Sequence, residues 1–303
     1  MRGDIPISVV VLTFNEEDNL AECLASVDDF DQVFVVDSHS SDSTRSIAEA
    51  AGAAVVEFTW NGRYPKKKQW SISNLPFRHD WVLFLDADER VTSELVAELR
   101  ALLRDRQPAE AGFLIREDYV FEGRVLRHGH TIRKLSLLDR HRARYPVVGD
   151  LGATNMWEVE GHYQPELDGP FRELRGRMVH HDHSSLYEYF ARHNRYSDWE
   201  AELLVSGGWS DSKGEALGGL RGRLKRASRH APFRGSLAFL HSYVALAGFL
   251  DGRAGLDYAL ARGFYYWQIG LKRRELARTR RSPGLPDTQR TEADGHTRAK
   301  EGP

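Results

Sequence analysis

An Asp-Ala-Asp triplet, Asp86 to Asp88, is the part of this sequence with the clearest capacity for chemistry. It directly follows an apolar run, Trp81 to Leu85, that is typical of a buried strand. Such a strand ends where charge begins, so we expect both carboxylates at the rim of a sheet, where open α/β folds bind ligands. Adjacent carboxylates repel each other, and a hard divalent cation that also holds a phosphate relieves the repulsion. The alternative is that Asp88 only caps the next helix.

Other polar side chains follow the neighbouring predicted strands at the same end. They are Thr13, Asn15 and Glu16, then Asp37, and then Lys67 and Lys68. Carboxylates accept hydrogen bonds from the hydroxyl and amide groups of a nucleoside, and lysine suits phosphate. In a parallel sheet all of these groups would face one rim, which predicts a nucleotide-diphosphate site. Singly, each has a structural alternative, such as a helix cap for Asn15 and a solvated surface for the lysines. No G-x-G-x-x-G or GxxxxGK motif supports dinucleotide or P-loop binding.

Strand-like and helix-like patterns alternate in the first third of the chain. Apolar, often β-branched runs predict strands at 7–12, 32–36, 54–58 and 81–85, with helices between and after them. This alternation favours an α/β fold with a mostly parallel sheet and right-handed crossovers. Beyond about residue 108, short strands are expected at 112–115, 119–126 and 135–138, and a helix at 184–205. We therefore predict one catalytic domain over residues 1–206.

The last third differs in charge. Residues 207–219 are rich in Gly and Ser and predict a linker, whereas residues 282–303 are polar and predict a disordered tail. Residues 220–281 hold many more basic than acidic residues around the apolar run Leu237 to Leu250. This pattern favours a helical region lying on an anionic membrane surface. The alternative is a helical hairpin packed on the catalytic domain or on a second copy.

Composition excludes several classes of protein. The net charge of −2 over 303 residues argues against a general nucleic-acid binder. The single cysteine, Cys23, rules out a disulfide framework or a zinc ribbon and suits a reducing compartment. No run of 18 apolar residues occurs, so we expect no membrane span, and the N-terminus is interpreted as a first core strand instead of a signal peptide.

Three blocks of the sequence resemble the signature of family 2 inverting glycosyltransferases of the GT-A fold. They are Val9 to Glu17, Val35 to Thr44 and Asp86 to Glu89, in that order. The segment Pro65 to Trp70 and the region Glu158 to Glu200 are similar to bacterial enzymes that decorate lipopolysaccharide or other envelope glycans. The resemblance implies a Rossmann-like, mostly parallel sheet flanked by helices, with a C-terminal helical extension.

The same resemblance implies roles for the strand-end residues. Thr13, Asn15, Glu16 and Asp37 would hold the nucleoside, and Lys67 or Lys68 would meet the nucleoside or the diphosphate. Asp86 and Asp88 fall at the family's metal-binding pair, with Asp86 also facing the donor and Asp88 the more direct ligand of Mg²⁺ or Mn²⁺.

Two further functions remain to be assigned. An inverting transfer needs a general base, and the family's acidic residue beyond the metal motif matches Glu158 first and Glu160 second. The subgroup often has His-Glu there, whereas this chain has Trp157-Glu158, which leaves the choice open. The dense run His180 to His183 could by spacing be a metal site. The family position carries one histidine near the diphosphate, which His180 matches best.

The resulting hypothesis is a metal-dependent inverting glycosyltransferase on the cytoplasmic face of the inner membrane. Its partners would be a nucleotide-sugar donor, a glycan or lipid-linked acceptor and an anionic membrane surface, with no nucleic acid. One alternative is transfer to polyprenyl phosphate, an anion that needs no general base. Another is a non-catalytic sugar-nucleotide-binding scaffold.

Overall fold

A computed structural model describes residues 3–104, 108–129, 131–147, 150–153, 155–160, 163–207 and 233–281. The strands are β1 (Ile5–Thr13), β2 (Phe30–Asp37), β3 (Ala54–Glu57), β4 (Trp81–Asp86), β5 (Glu89–Val91), β6 (Gly112–Phe121), β7 (Arg124–Leu126), β8 (Ile132–Asp139), β9 (Ala143–Arg144), β10 (Glu166–Leu167) and β11 (Phe171–His180). The α-helices are α1 (Leu20–Ala25), α2 (Thr44–Ala50), α3 (Lys67–Asn74), α4 (Ser93–Arg104), α5 (Leu186–Ser206), α6 (Arg234–Leu240) and α7 (Gly252–Arg281).

Nine strands form one sheet in the order β3-β2-β1-β4-β8-β6-β11-β5, with β7 paired to β6. The first four strands in this order are parallel to one another. Strand β8 is antiparallel to both β4 and β6, while β11 is parallel to β6. The predicted α/β class with a C-terminal helical extension is confirmed, and the second half of the sheet is mixed in direction.

Strands β1, β2 and β4 are buried on both faces, which explains their continuous apolar runs. Alternate residues of β1 point to opposite sides, so Val9 and Val11 pack in the core under α1 and α4. Val10 and Leu12 pack on the other side, with Trp70 of α3 among their neighbours. Asp37 and Asp86 are the last residues of β2 and β4, where the chain reaches the rim.

Helix α5 has a well-defined start and end. The Ser185 side chain accepts a hydrogen bond from the Glu188 N–H, and the Glu188 side chain accepts one from the Ser185 N–H, which forms a capping box. Gly207 ends the helix at φ 69°, in the left-handed region that glycine adopts readily. The predicted helix at 184–205 is thus confirmed within two residues.

The C-terminal helices pack on the rest of the domain. Helix α7 lies against α5, where Tyr265 donates a hydrogen bond to Glu200 at 3.0 Å, and against α6, where Gly235 closely approaches Gly263. The apolar run Leu237 to Leu250 does not form one helix, because Ala247 has a positive φ of 57° that interrupts it. Among the residues described, no helix is long and apolar enough to cross a bilayer.

Four strands were not predicted from the sequence, namely β5, β9, β10 and β11, and β9 and β10 have only two residues each. Strand β11 carries charged residues along much of its length, and β5 has only three residues, so neither shows a clear apolar pattern. The predicted linker beyond Gly207, residues 220–232 and the predicted tail lie outside the described residues.

Candidate active site

The parallel register brings the predicted strand-end residues together. Thr13 at the end of β1 pairs with Asp37 at the end of β2, and Leu12 pairs with Asp86 at the end of β4. The two aspartates therefore flank the end of β1 at one rim of the sheet. This arrangement is what an extended site for a diphosphate and its nucleoside requires.

Asp37 is a buried carboxylate held by its own loop. It accepts hydrogen bonds from the Thr13 hydroxyl at 2.8 Å and from the Ser40 N–H at 2.8 Å and hydroxyl at 2.5 Å. Burial raises the pKa of Asp37, but these hydrogen bonds and nearby Lys67 outweigh it and leave the pKa below its ordinary value. Asp37 is therefore ionised at neutral pH and can accept a hydrogen bond from a ligand.

Lys67 joins three segments beneath this rim. Its buried ammonium donates to the Thr13 carbonyl at 2.7 Å and to the Ser38 hydroxyl at 2.5 Å, and it lies 3.3 Å from a Glu158 oxygen. Burial lowers the pKa of Lys67, and the nearby acids partly oppose this shift. Lys68 instead faces Asp86, with 3.9 Å between its ammonium and a carboxylate oxygen.

Asn15 and Glu16 lie in the loop after β1. The Asn15 side chain accepts a hydrogen bond from the Ser41 N–H at 2.9 Å, and its own N–H donates to the Ser40 hydroxyl at 2.8 Å. Asn15 thus connects the first two strand-end loops. Burial, together with the charge of Asp88, raises the pKa of Glu16 to about 7. Glu16 is therefore electrostatically coupled to the Asp-Ala-Asp triplet.

Around the triplet, the strands of the second half of the sheet supply further charged groups. His180, at the end of β11, lies between Tyr119 of β6 and Glu89 of β5 in the strand register. Its Nε2 is 3.3 Å from an Asp88 oxygen, and its ring stacks on Tyr119 with 4.8 Å between centroids. His180, which was predicted to lie near the diphosphate, is thus next to Asp88 in the structure.

Lys134 and Glu117 also lie beside the triplet. Together with Asp86, Asp88, Glu89 and His180, they form the group that we call the acidic cluster. The Lys134 ammonium is 3.1 Å from Asp86 and 3.2 Å from Glu117, and it donates to Glu89. Burial raises the pKa of Asp86, but Lys68 and Lys134 outweigh it and leave that pKa well below its ordinary value. Burial raises the pKa of Asp88, and it raises the pKa of Glu117 to about 8.

Several atoms of the cluster suit a bound cation. Asp88 Oδ1, His180 Nδ1 and Glu117 Oε2 are buried without a hydrogen-bond partner. Unpaired buried polar atoms are costly, so their convergence calls for an explanation such as an ion. The side chains of Glu89, Glu117 and His180 also bring their ligand atoms within 4.8 Å of one another. Carboxylate oxygens suit Mn²⁺ or Mg²⁺.

The two candidate bases have different surroundings. Glu158 is partly exposed and accepts hydrogen bonds from the Ser38 hydroxyl and from Lys67. Glu160 is 1% exposed, and its two oxygens accept the N–H groups of Lys68 at 2.8 Å and Gln69 at 3.1 Å. Glu160 therefore binds the N-terminus of α3, where backbone donors lack partners within the helix. Burial raises its pKa despite these hydrogen bonds.

His181 and His183 form a separate group from His180. Their rings are 4.2 Å apart, and the Nε2 of His183 is 3.3 Å from a Glu22 oxygen of α1. The three side chains have the types and spacing of a possible ion site.

Sequence reasoning did not identify Glu89, Glu117 or Lys134. Glu89 directly follows the triplet, so the sequence could have indicated it. Glu117 of β6 and Lys134 of β8 lie far from the triplet in the chain. Only the pairing of β8 with both β4 and β6 brings them to Asp86.

Comparisons with known proteins place these observations in context. Residues 8–157, about half of the chain, match the model of the family described as "Glycosyl transferase family 2". An uncharacterized glycosyltransferase of Rickettsia typhi is 28% identical over 67% of this chain and 69% of its own length. The lipopolysaccharide core biosynthesis glycosyltransferase LpsC of Rhizobium meliloti is 26% identical over 69% of this chain and 75% of its own length.

Solved structures give more distant matches. Glucosyl-3-phosphoglycerate synthase from Mycobacterium tuberculosis, solved with Mn²⁺ and UDP-glucose, is 27% identical over 38% of this chain and 43% of that chain, with a TM-score of 0.29. This chain therefore spans less than half of that enzyme. The Staphylococcus aureus protein TarS, residues 1–349, is 15% identical over 93% of this chain and 92% of that chain, with a TM-score of 0.40.

Proposed function

Since the chain belongs to the family 2 glycosyltransferases, we propose that it is an inverting enzyme that moves a sugar from a uridine diphosphate donor to a glycan or lipid-linked acceptor. The proposal rests on the position of Asp37 and Asp86 at one rim of the sheet, with Asp88 two residues beyond Asp86. The likeness to LpsC supports an acceptor in envelope polysaccharide or lipopolysaccharide synthesis.

The residues at the rim fall into two groups in this proposal, one that binds the nucleoside and one that binds the diphosphate. Asp37, held by Thr13 and Ser40, accepts a hydrogen bond from the nucleoside. Asn15 and Glu16 shape the loop beside it, and Lys67 fixes that loop from below. Lys68 faces the diphosphate from beside Asp86, where a point charge suits phosphate oxygens.

Asp88 and His180 would hold the divalent cation, with Asp86 oriented beside them by two lysines. When bound, Mg²⁺ or Mn²⁺ acts as a Lewis acid that neutralises the charge developing on the leaving diphosphate. The protein residues position the donor, exclude water from the cluster and keep Asp86 ionised. Glu16 lies close enough to Asp88 for its protonation to follow the charge at the site.

We assign Glu158 as the general base. It would take the proton from the acceptor hydroxyl as that oxygen attacks the sugar carbon, while Lys67 and Ser38 hold the carboxylate. Glu160 would stabilise the fold, because both of its oxygens already accept hydrogen bonds from backbone N–H groups.

Peripheral binding to an anionic membrane on the cytoplasmic side is part of the proposal. Phe233, Leu240 and Val244 expose 80%, 51% and 57% of their surface on or beside α6. The last turns of α7 carry Arg274, Arg278 and Arg280. Exposed apolar side chains and basic residues on the same helical region suit the interface of an anionic bilayer. Arg234 and Lys272 already pair with Glu200 and Asp198, so they add less to this attraction.

A donor screen by thermal unfolding tests the proposed function. A ligand that binds only the native state raises its stability, by about 2.7 kcal/mol at 100 times its Kd. We expect one nucleotide-diphosphate sugar to raise Tm when Mn²⁺ is present, and Asp37→Asn to lose that shift. Asp80→Asn, at the opposite end of β4, is the control that should keep it. No Tm shift with any nucleotide sugar would contradict the proposal.

A further inference from the structure

Lys134 lies among three carboxylates of the candidate site. Leu83 of β4 lies opposite Leu137 of β8, and continuing this antiparallel register places Lys134 opposite Asp86. The Lys134 ammonium lies 3.1 Å from Asp86 and 3.2 Å from Glu117, and it donates to Glu89. One cation thus touches three carboxylates from three strands.

Lys134 supplies a positive charge inside this buried cluster. Glu89 and Glu117 are 1% and 2% exposed, so water screens the charges around them poorly. The other described basic groups that face the cluster are Lys68, 3.9 Å from Asp86, and His180, 3.7 Å from Glu117. Neither of them touches all three carboxylates as Lys134 does. Enzymes with two divalent ions in one site hold them about 3.5–4 Å apart.

We propose that Lys134 is the resident counter-cation of the acidic cluster and limits it to a single divalent ion, held by Asp88 and His180. Its ammonium replaces a second ion among Asp86, Glu89 and Glu117 and fixes the orientation of Asp86 toward the donor. Lys134 is therefore a positioning residue. This inference rests on the metal dependence in the proposed function.

The unpaired oxygen of Asp88 agrees with this division of the site. Asp88 Oδ1 is buried without a hydrogen-bond partner, whereas the Asp86 carboxylate already lies near two lysines. The protein itself thus supplies the positive charge beside Asp86, and Asp88 is left to hold the divalent ion.

Titration of the metal-free enzyme with Mn²⁺ by calorimetry, without nucleotide, tests the inference. The wild type and Lys134→Arg, which keeps the charge, should bind one equivalent. Lys134→Gln should bind two equivalents, or bind the first at least tenfold more tightly. An unchanged stoichiometry and Kd in Lys134→Gln would overturn the role of Lys134. Absence of Mn²⁺ binding by the wild type would instead overturn the metal dependence in the proposed function.

Stability measurements keep the test decisive if Lys134→Gln folds poorly. A divalent ion that replaces the lost ammonium must stabilise this variant more than it stabilises the wild type. We therefore expect Mn²⁺ to raise the Tm of Lys134→Gln, or to restore its folding, by more than it changes Lys134→Arg. Equal effects of Mn²⁺ on both variants would overturn the inference.

Discussion

At the scale of single residues, Glu158 and Glu160 differ in what their carboxylates already bind. Glu158→Gln should lower the rate of sugar transfer by about 10²–10⁴ and leave donor binding unchanged, because only the proton acceptor is lost. Glu160→Gln should mainly lower the free energy of unfolding, by about 1–3 kcal/mol, since its amide NH₂ would face a backbone N–H of α3. Transfer kinetics and thermal unfolding of both variants separate the two roles.

The glutamine variants of Glu158 and Glu160 also discriminate between an acceptor hydroxyl and polyprenyl phosphate. Full transfer activity of Glu158→Gln would contradict its assignment as the base. Continued activity of the double variant with both glutamines would favour polyprenyl phosphate as the acceptor, because an acceptor that is already an anion needs no base.

At the scale of elements, the site depends on how closely α4 packs on β11. A methyl group added at Gly176 would lie 2.5 Å from the Leu95 Cα, which is backbone and cannot rotate away. Gly176→Ala should therefore cost about 1–3 kcal/mol of stability through overpacking. Gly152→Ala is the control, since no atom lies within 4 Å of the added carbon. Equal Tm values for the two variants in thermal unfolding would show that α4 adjusts freely.

Strands of this sheet differ in how well they could be predicted from the sequence. Strands β1, β2 and β4 are buried on both faces, so their apolar runs and the aspartates that follow them were visible in the sequence. Strand β11 has charged residues facing solvent, and its register with β6 and β5 is a long-range property. The sequence therefore indicated Asp86 and Asp88, whereas the positions of Lys134 and Glu117 depend on tertiary pairing.

Lys67 shows a similar limit on local reasoning. Its position after a predicted strand suggested a ligand contact, but the fold places its ammonium among Thr13, Ser38 and Glu158. Which of three successive lysines faces the rim depends on the start of α3, which Glu160 fixes from a distant part of the chain.

At the scale of the whole molecule, the exposed apolar residues near α6 predict membrane binding. The full chain should float with vesicles that contain phosphatidylglycerol and not with phosphatidylcholine alone, and added salt should weaken the binding. Replacing both Phe233 and Val244 by Ser should reduce flotation. Val147→Ser is the matched control, because Val147 is 62% exposed in the catalytic domain. Wild-type protein that fails to float with anionic vesicles would rule out the proposed membrane surface.

The most direct test of the account is the activity of Asp88→Ala with Mn²⁺ and the donor found by the thermal screen. Asp88 combines a buried, unpaired oxygen with a contact to His180, so its loss should remove the metal and the stabilisation of the leaving diphosphate. We predict that sugar transfer and donor hydrolysis fall by at least about 100-fold, while Asp80→Ala, at the other end of β4, stays at the wild-type rate. Full activity of Asp88→Ala would contradict the proposed mechanism.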